Sequence, residues 1–242
     1  MDRLGYTAMT AASRSMLSLQ VHANNLANVN TPGFRADLER AEAVAVRGYG
    51  YDSRHMAVVE NNGVDLAPGS LTPTGRELDF AIKGKGLIAV EYAGGEAYTR
   101  YGSMQVDADG RLTISGRPVL GEGGPIVLPD HERVSISADG VVSVMARGDQ
   151  QMTEVDRILL VDAPAAELAK NEVGLLVTKS GVPATPSEDV VLVSGFLETS
   201  NVSAIDALTA TMSLTRLFET QVKMMKAASN LSDAGNRLIR GS

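Results

Sequence analysis

From about Val202 to Ile239 the chain runs without a proline, and the one glycine in that span, Gly235, comes near its end. A stretch this long with no breaker predicts a continuous helix of roughly 55 Å at 1.5 Å per residue. Asn201 or Ser203 stands where its N-cap is expected. Leu217, Met224, Leu231 and Leu238 recur at intervals of seven, with Leu214, Gln221 and Ala228 between them. Phe218, Val222 and Met225 make a second apolar group on an adjoining face. One apolar face suffices to seat a helix on a domain, so two leave surface for another chain. Periodic helices well beyond about 25 residues point to a coiled coil or an assembly. Packing within the chain and adhesion to a membrane surface are the alternatives. The second is weakened because neither polar face is rich in Lys and Arg.

The N-terminal segment carries the same rhythm. Met9, Ala12, Met16, Leu19, Ala23 and Leu26 are spaced alternately three and four, which puts them on one stripe of a helix over about residues 3–28. That helix runs into four asparagines, Asn24, Asn25, Asn28 and Asn30, although asparagine competes for backbone groups and disfavours helix. Thr31-Pro32 then ends the helical run, Gly33 permits a turn, and Phe34 is the first large apolar residue beyond it.

Between the two helices the pattern is β. "VDADGRLTI" (106–114) and "VSISADGVVSV" (134–144) each set an Asp-Gly pair between alternating apolar runs, a strong hairpin signal. "GLIAVEY" (86–92), "RILLVD" (157–162), "LLVTK" (175–179) and "VVLVSG" (190–195) are further strand candidates. The charge divides in the same way: residues 1–40 carry a net +1, residues 199–242 a net +2, and the middle −10. The expected fold is α+β. Residues 1–30 and 200–242 form long terminal helices with a coiled-coil-like rhythm. Residues 31–75 are an irregular or extended link, and 76–199 a central all-β domain.

The sequence offers little chemistry. The net charge of −7 gives no basic excess to neutralise phosphates, so nucleic acid is not an expected partner. The absence of cysteine excludes a disulfide scaffold and thiolate metal sites. The three histidines are His22, His55 and His131, and in an extended chain Asp130-His131-Glu132 alternate faces instead of converging on a metal. Asp107-Ala108-Asp109-Gly110 resembles the start of a calcium loop but lacks the later ligands, so a hairpin turn is expected. "KGKG" (83–86) does not fit a phosphate-binding loop and reads as a turn at a strand edge. No catalytic residue, cofactor, metal or small-molecule substrate is expected. The opening "MDRLGYTAMTAASRSML" lacks the continuous apolar region of a cleavable signal peptide. No run approaches the roughly 18–20 apolar residues that insertion into a membrane requires. On these signs alone the cytoplasm is the expected location.

"NNLANVNTPGFRA" (24–36) and "LETSNVSAIDALTATMSLTRLFET" (197–220), with "LDFAIKGKGLIAVE" and "AYTRYGSMQVDADGRLTISGRPVLGEGGPIVLP" in order between them, resemble the rod and hook proteins that form the axis of the bacterial flagellum. The opening "MDRLGYTAM" and the modest length are most similar to the proximal rod branch, with the distal rod branch next. The resemblance implies a structural subunit without catalysis. Its partners would be other axial proteins and the flagellar type III export apparatus. It would leave the cell uncleaved, assemble in the periplasmic basal body through its terminal helices, residues 1–30 and 200–242 pairing as a coiled-coil-like, tube-forming domain, and transmit torque. Asn24, Asn25, Leu26, Ala27, Asn28, Thr31, Pro32, Gly33 and Phe34 would be the assembly motif. Met16, Leu19, Leu217, Phe218, Val222, Met224, Leu231 and Leu238 would be packed helix positions. The asparagines then either bond across subunits or cap their own helix. A rival of another class is a module that binds or hydrolyses the cell wall. It would need paired carboxylates in a cleft or an aromatic platform, for which Phe80, Tyr92, Tyr98 and Tyr101 are the material.

Overall fold

The computed structural model describes residues 2–45, 55–149 and 151–240, and the side chains of residues 5, 7–39, 63–149 and 151–237. Two long helices and a β-rich middle make the chain an α+β protein. It divides into two compact units, one of Met1–Ala27, Asp37–Asn62 and Ser203–Ser242, the other of Asn28–Ala36 and Gly63–Val202.

In the first unit, helix α1 spans Asp2–Ala27 and helix α2 spans Ala204–Arg240. The start of α2 is set by Ser203, whose hydroxyl accepts the amide of Asp206 at 3.4 Å, while Asp206 places a carboxylate at the positive end of the helix. The two helices pack against each other. Strand β1 (Asp37–Ala45) pairs with β2 (His55–Val64) and packs on α1. Both strands fall in the stretch that reads as an irregular link. Its composition explains why: "DLERAEAVA" is dominated by Asp, Glu and Ala, which are depleted in strands, and so carries no strand signal of its own.

The second unit is built of short antiparallel strands. Strands β3 (Leu71–Pro73), β4 (Phe80–Lys83), β5 (Leu87–Tyr92) and β6 (Gly95–Thr99) come first along the chain. The largest sheet has five strands in the order Leu160–Val161, β5, β6, Leu176–Thr178, Leu168–Lys170. Strand Val191–Ser194 returns to pair with β4, and Phe196–Glu198 with β3. Both Asp-Gly hairpins form. Val106 lies opposite Leu112 and Ile136 opposite Val142, and Gly110 and Gly140 both take φ of +79°, the left-handed turn that glycine allows at no steric cost. The lysine-glycine run is the turn from β4 to β5. The apolar faces of these hairpins, with Phe80, Ile88, Met104, Ile126 and Ile158, close the larger of two apolar clusters, and Leu87, Tyr98, Val161 and Leu168 belong to the second.

Candidate assembly site

Within the helical unit the inward face of α2 follows a strict alternation of three and four residues. Ala207, Thr211, Leu214, Phe218, Gln221, Met225, Ala228, Ser232 and Gly235 are all buried or half-buried. On α1 the buried positions are Ala8, Ala12, Ser15, Ser18, Val21 and Asn25. Most of these side chains are small. A small seam lets two backbones approach closely but shields little apolar area per turn. Polar pairs fill part of it: the Ser15 hydroxyl donates to Gln221 Oε1 at 3.0 Å and the Ser18 hydroxyl to Glu39 at 2.5 Å.

Leu214, Phe218 and Met225 are its larger apolar members, and several other large apolar side chains stand outside it. Met16 is 57% exposed, Leu217 49%, Met224 46% and Leu231 58%. Met9, Val222, Leu208 and Met212 are exposed as well. Of the other positions expected to pack, Leu19 and Phe218 are half-buried, and the side chain of Leu238 lies outside the described residues. The stripe of Met9, Met16 and Ala23 faces solvent, while its alternate members Ala12, Leu19 and Leu26 are buried or half-buried. Helix α2 also holds its own hydroxyls. Thr209, Thr211, Thr215 and Thr220 each donate to the carbonyl four residues back, at 2.8–2.9 Å.

The asparagines have distinct local partners. The buried Asn25 behaves as a strand neighbour would: its Nδ2 donates to the Asp37 carbonyl at 2.9 Å and its Oδ1 accepts the Asp37 amide at 2.8 Å. Asn24 Nδ2 donates to the Asp37 carboxylate at 2.9 Å. Asn28 closes the following turn, accepting the Thr31 amide on its carbonyl and the Thr31 hydroxyl on its side chain, both at 3.1 Å. Ala27 and Asn30 are exposed and Leu26 is half-buried. Pro32, Gly33 and Phe34 are half-buried in the β unit.

In that β unit the segment 28–36 meets the segment 196–202. Gly33 N donates to the Glu198 carbonyl at 2.7 Å and Asn201 N to the Phe34 carbonyl at 3.4 Å. Asn201 does not cap α2. Its Oδ1 accepts the Ala36 amide at 2.7 Å, and its Nδ2 donates to the carbonyls of Asp65 and Ala67 at 2.9 and 3.1 Å. Lys170 lies 3.7 Å over the Phe34 ring and donates to the Arg35 carbonyl. Beneath this pairing, Arg35 and Arg100 both contact Glu198, at 2.5 and 3.2 Å, with the three side chains no more than 2% exposed. Burial draws the Arg100 guanidinium down to about 10, partly offset by the Glu198 charge and deepened by Arg35, so it stays a cation at neutral pH. Sequence reasoning missed this cluster, because an isolated charge in a loop ordinarily reads as solvated. The signal was its placement: Arg35 and Glu198 each sit inside one of the two end motifs.

Phe80 and Tyr98 are fully buried, and Tyr92 and Tyr101 pack against the core; these four rings do not form an exposed platform. Among the described residues no group of three His, Cys, Asp or Glu is placed to hold a metal, and no helix is long and apolar enough to cross a membrane.

Residues 6–35 match the family described as "Flagella basal body rod protein", residues 81–144 the "Flagellar hook protein FlgE/F/G D1 domain", and residues 193–238 the "Flagellar basal body rod FlgEFG protein C-terminal". Of the segments that meet in the β unit, residues 28–35 and 196–202 fall within the first and last of these. The chain is 39% identical to the flagellar basal-body rod protein FlgF of Escherichia coli over 99% of both chains. It is 38% identical to that of Salmonella typhimurium over 99% of both, and 32% identical to that of Caulobacter vibrioides over 96% of both. Two end motifs stapled to one β unit, with a full-length likeness to these proteins, mean that the chain belongs to the flagellar basal-body rod protein family, in its FlgF branch.

Proposed function

We propose that this chain is a subunit of the proximal rod that assembles by burying the outer faces of its terminal helices against neighbouring subunits. A flagellar basal-body rod protein is a structural subunit, not an enzyme, and it assembles with other flagellar axial proteins. The finer reading rests on one observation: the inward seam is lined mainly by small residues, while Met16, Leu217, Met224 and Leu231 remain about half exposed. Completing the burial of each such side chain is worth about 1 kcal/mol. The hydroxyls of the exposed Thr209, Thr215 and Thr220, already bonded within α2, allow their methyl groups to enter an interface without stranding a donor.

On this reading residues 1–30 and 200–242 pair as a coiled-coil-like, tube-forming domain that carries torque along the rod. Residues 31–75 link that tube to a central β domain of residues 76–199. The subunit passes uncleaved through the flagellar type III export apparatus to the periplasm. A wall-binding role is disfavoured by the burial of Phe80 and Tyr98. An epitope tag inserted at the exposed Gly181–Val182 turn tests the position: labelled basal bodies should carry the tag on the membrane-proximal rod. Label on the distal rod would make this a distal subunit.

A further inference from the structure

Glu198 is the point where four segments of the β unit meet. Its Oε1 lies 2.5 Å from Arg35 Nη2 and accepts the Gly69 amide at 2.8 Å. Its Oε2 accepts Arg100 Nη1 at 3.2 Å, and its backbone carbonyl accepts Gly33 N at 2.7 Å. Two buried guanidiniums thus share one buried carboxylate, but they do not depend on it equally. Arg100 also donates to the carbonyls of Ile82 (3.3 Å) and Gly84, so the backbone around β4 holds it. Among the described residues, Arg35 beyond Glu198 donates only to its neighbour Phe34, at 3.5 Å, and the Nε atoms of both arginines have no hydrogen-bond partner, so the difference lies in the backbone carbonyls that hold Arg100.

That asymmetry gives the junction a direction. Without Arg35, a neutral Glu198–Arg100 pair remains with its other hydrogen bonds. Without Glu198, two buried cations face each other with no counter-ion between them, the costly case for a broken buried pair. We propose that Glu198 is a positioning residue for assembly: it seats the N-terminal segment 28–36 on the C-terminal segment 196–202, and this dependence is one-way. The C-terminal segment keeps its place without the N-terminal one, whereas the N-terminal segment, although it also meets Lys170 and Asp65, loses its place without Glu198. The points at which the chain passes to each helix are thereby set together. The consequence for the rod rests on the assembly reading above, whereas the seating is a property of the single chain.

Hydrogen exchange on the full-length monomer tests the seating. In Arg35→Met the amides of Gly33 and Ala36 should exchange at least tenfold faster. The Thr199 amide, bonded to Ser70, and the Phe80 and Leu112 amides should keep their wild-type rates. In Glu198→Gln the Thr199 amide should speed up together with Gly33 and Ala36. Should that variant fail to fold, Arg35→Met alone decides. Unchanged Gly33 and Ala36 rates in Arg35→Met overturn the proposal, and so does loss of Thr199 protection there, because the two segments would then be one block. Rod building is scored separately. An exported Arg35→Met chain with a released segment should build few or no rods, and a normal rod from it would remove the positioning role while leaving the helix faces as the assembling surface.

Discussion

Gly33 answers to two constraints at once. Its φ is +71°, and a Cβ there would stand 2.4 Å from the Tyr101 amide nitrogen. Backbone cannot yield as a flexible side chain can, so Gly33→Ala combines a left-handed strain of about 1–3 kcal/mol with a clash. We expect a loss of more than about 2 kcal/mol, read from urea unfolding of the β unit by tyrosine fluorescence; a change under about 0.5 kcal/mol would mean the turn relocates freely. Tyr98 tests a different kind of dependence. Its buried hydroxyl accepts the Ala184 amide at 2.7 Å and donates to Glu96 at 2.9 Å. Tyr98→Phe leaves the Ala184 amide without that acceptor and should cost about 1–3 kcal/mol, with faster exchange at Ala184. Wild-type exchange at Ala184 would show that water replaces the hydroxyl. At this scale the sequence is least legible. The turn at Gly33 follows from Thr-Pro-Gly, but the burial of Arg35, Arg100 and Glu198 does not, because it depends on three segments far apart in the chain converging on one point.

Among the elements, the helices and hairpins were legible for local reasons. A span free of breakers propagates as helix, and Asp-Gly between alternating apolar runs closes a hairpin. The orientation of the helices was harder. Size marks Met9, Met16, Leu217 and Leu231 as the expected inner face, yet the inner face is the neighbouring one, where Ala, Ser and Gly let two helices come close. Those four large side chains are left for a partner. Leu231 separates these faces experimentally. In the free chain it is 58% exposed, so Leu231→Asp should change the melting temperature very little, corresponding to less than about 0.5 kcal/mol. In the rod, an unpaired carboxylate buried there would cost several kcal/mol per subunit, and the exported variant should build no rod. Leu231→Met nearly conserves volume and should assemble. A working rod from exported Leu231→Asp would turn this stripe to solvent and move the contact to the other exposed apolar residues of α2, Leu208, Met212 and Val222.

At the scale of the molecule, the two units differ in what sustains them. The β unit has two buried apolar clusters and its own ion cluster. A chain of residues 28–202 should therefore melt cooperatively, and the absence of a cooperative transition would show that the unit needs the helices. The helical unit has a seam of mostly small residues, which offsets little of the entropy of ordering 37 residues of α2. The helices should thus gain most of their stability from the lattice they build. Hydrogen exchange over residues 205–235, compared between the verified monomer and isolated basal bodies, tests this most directly. Exchange should be fast in the monomer and slowed by orders of magnitude in the rod. Strong protection throughout 205–235 in the monomer would contradict it, because the helix pair would then be stable alone and its exposed stripe would not be required for order.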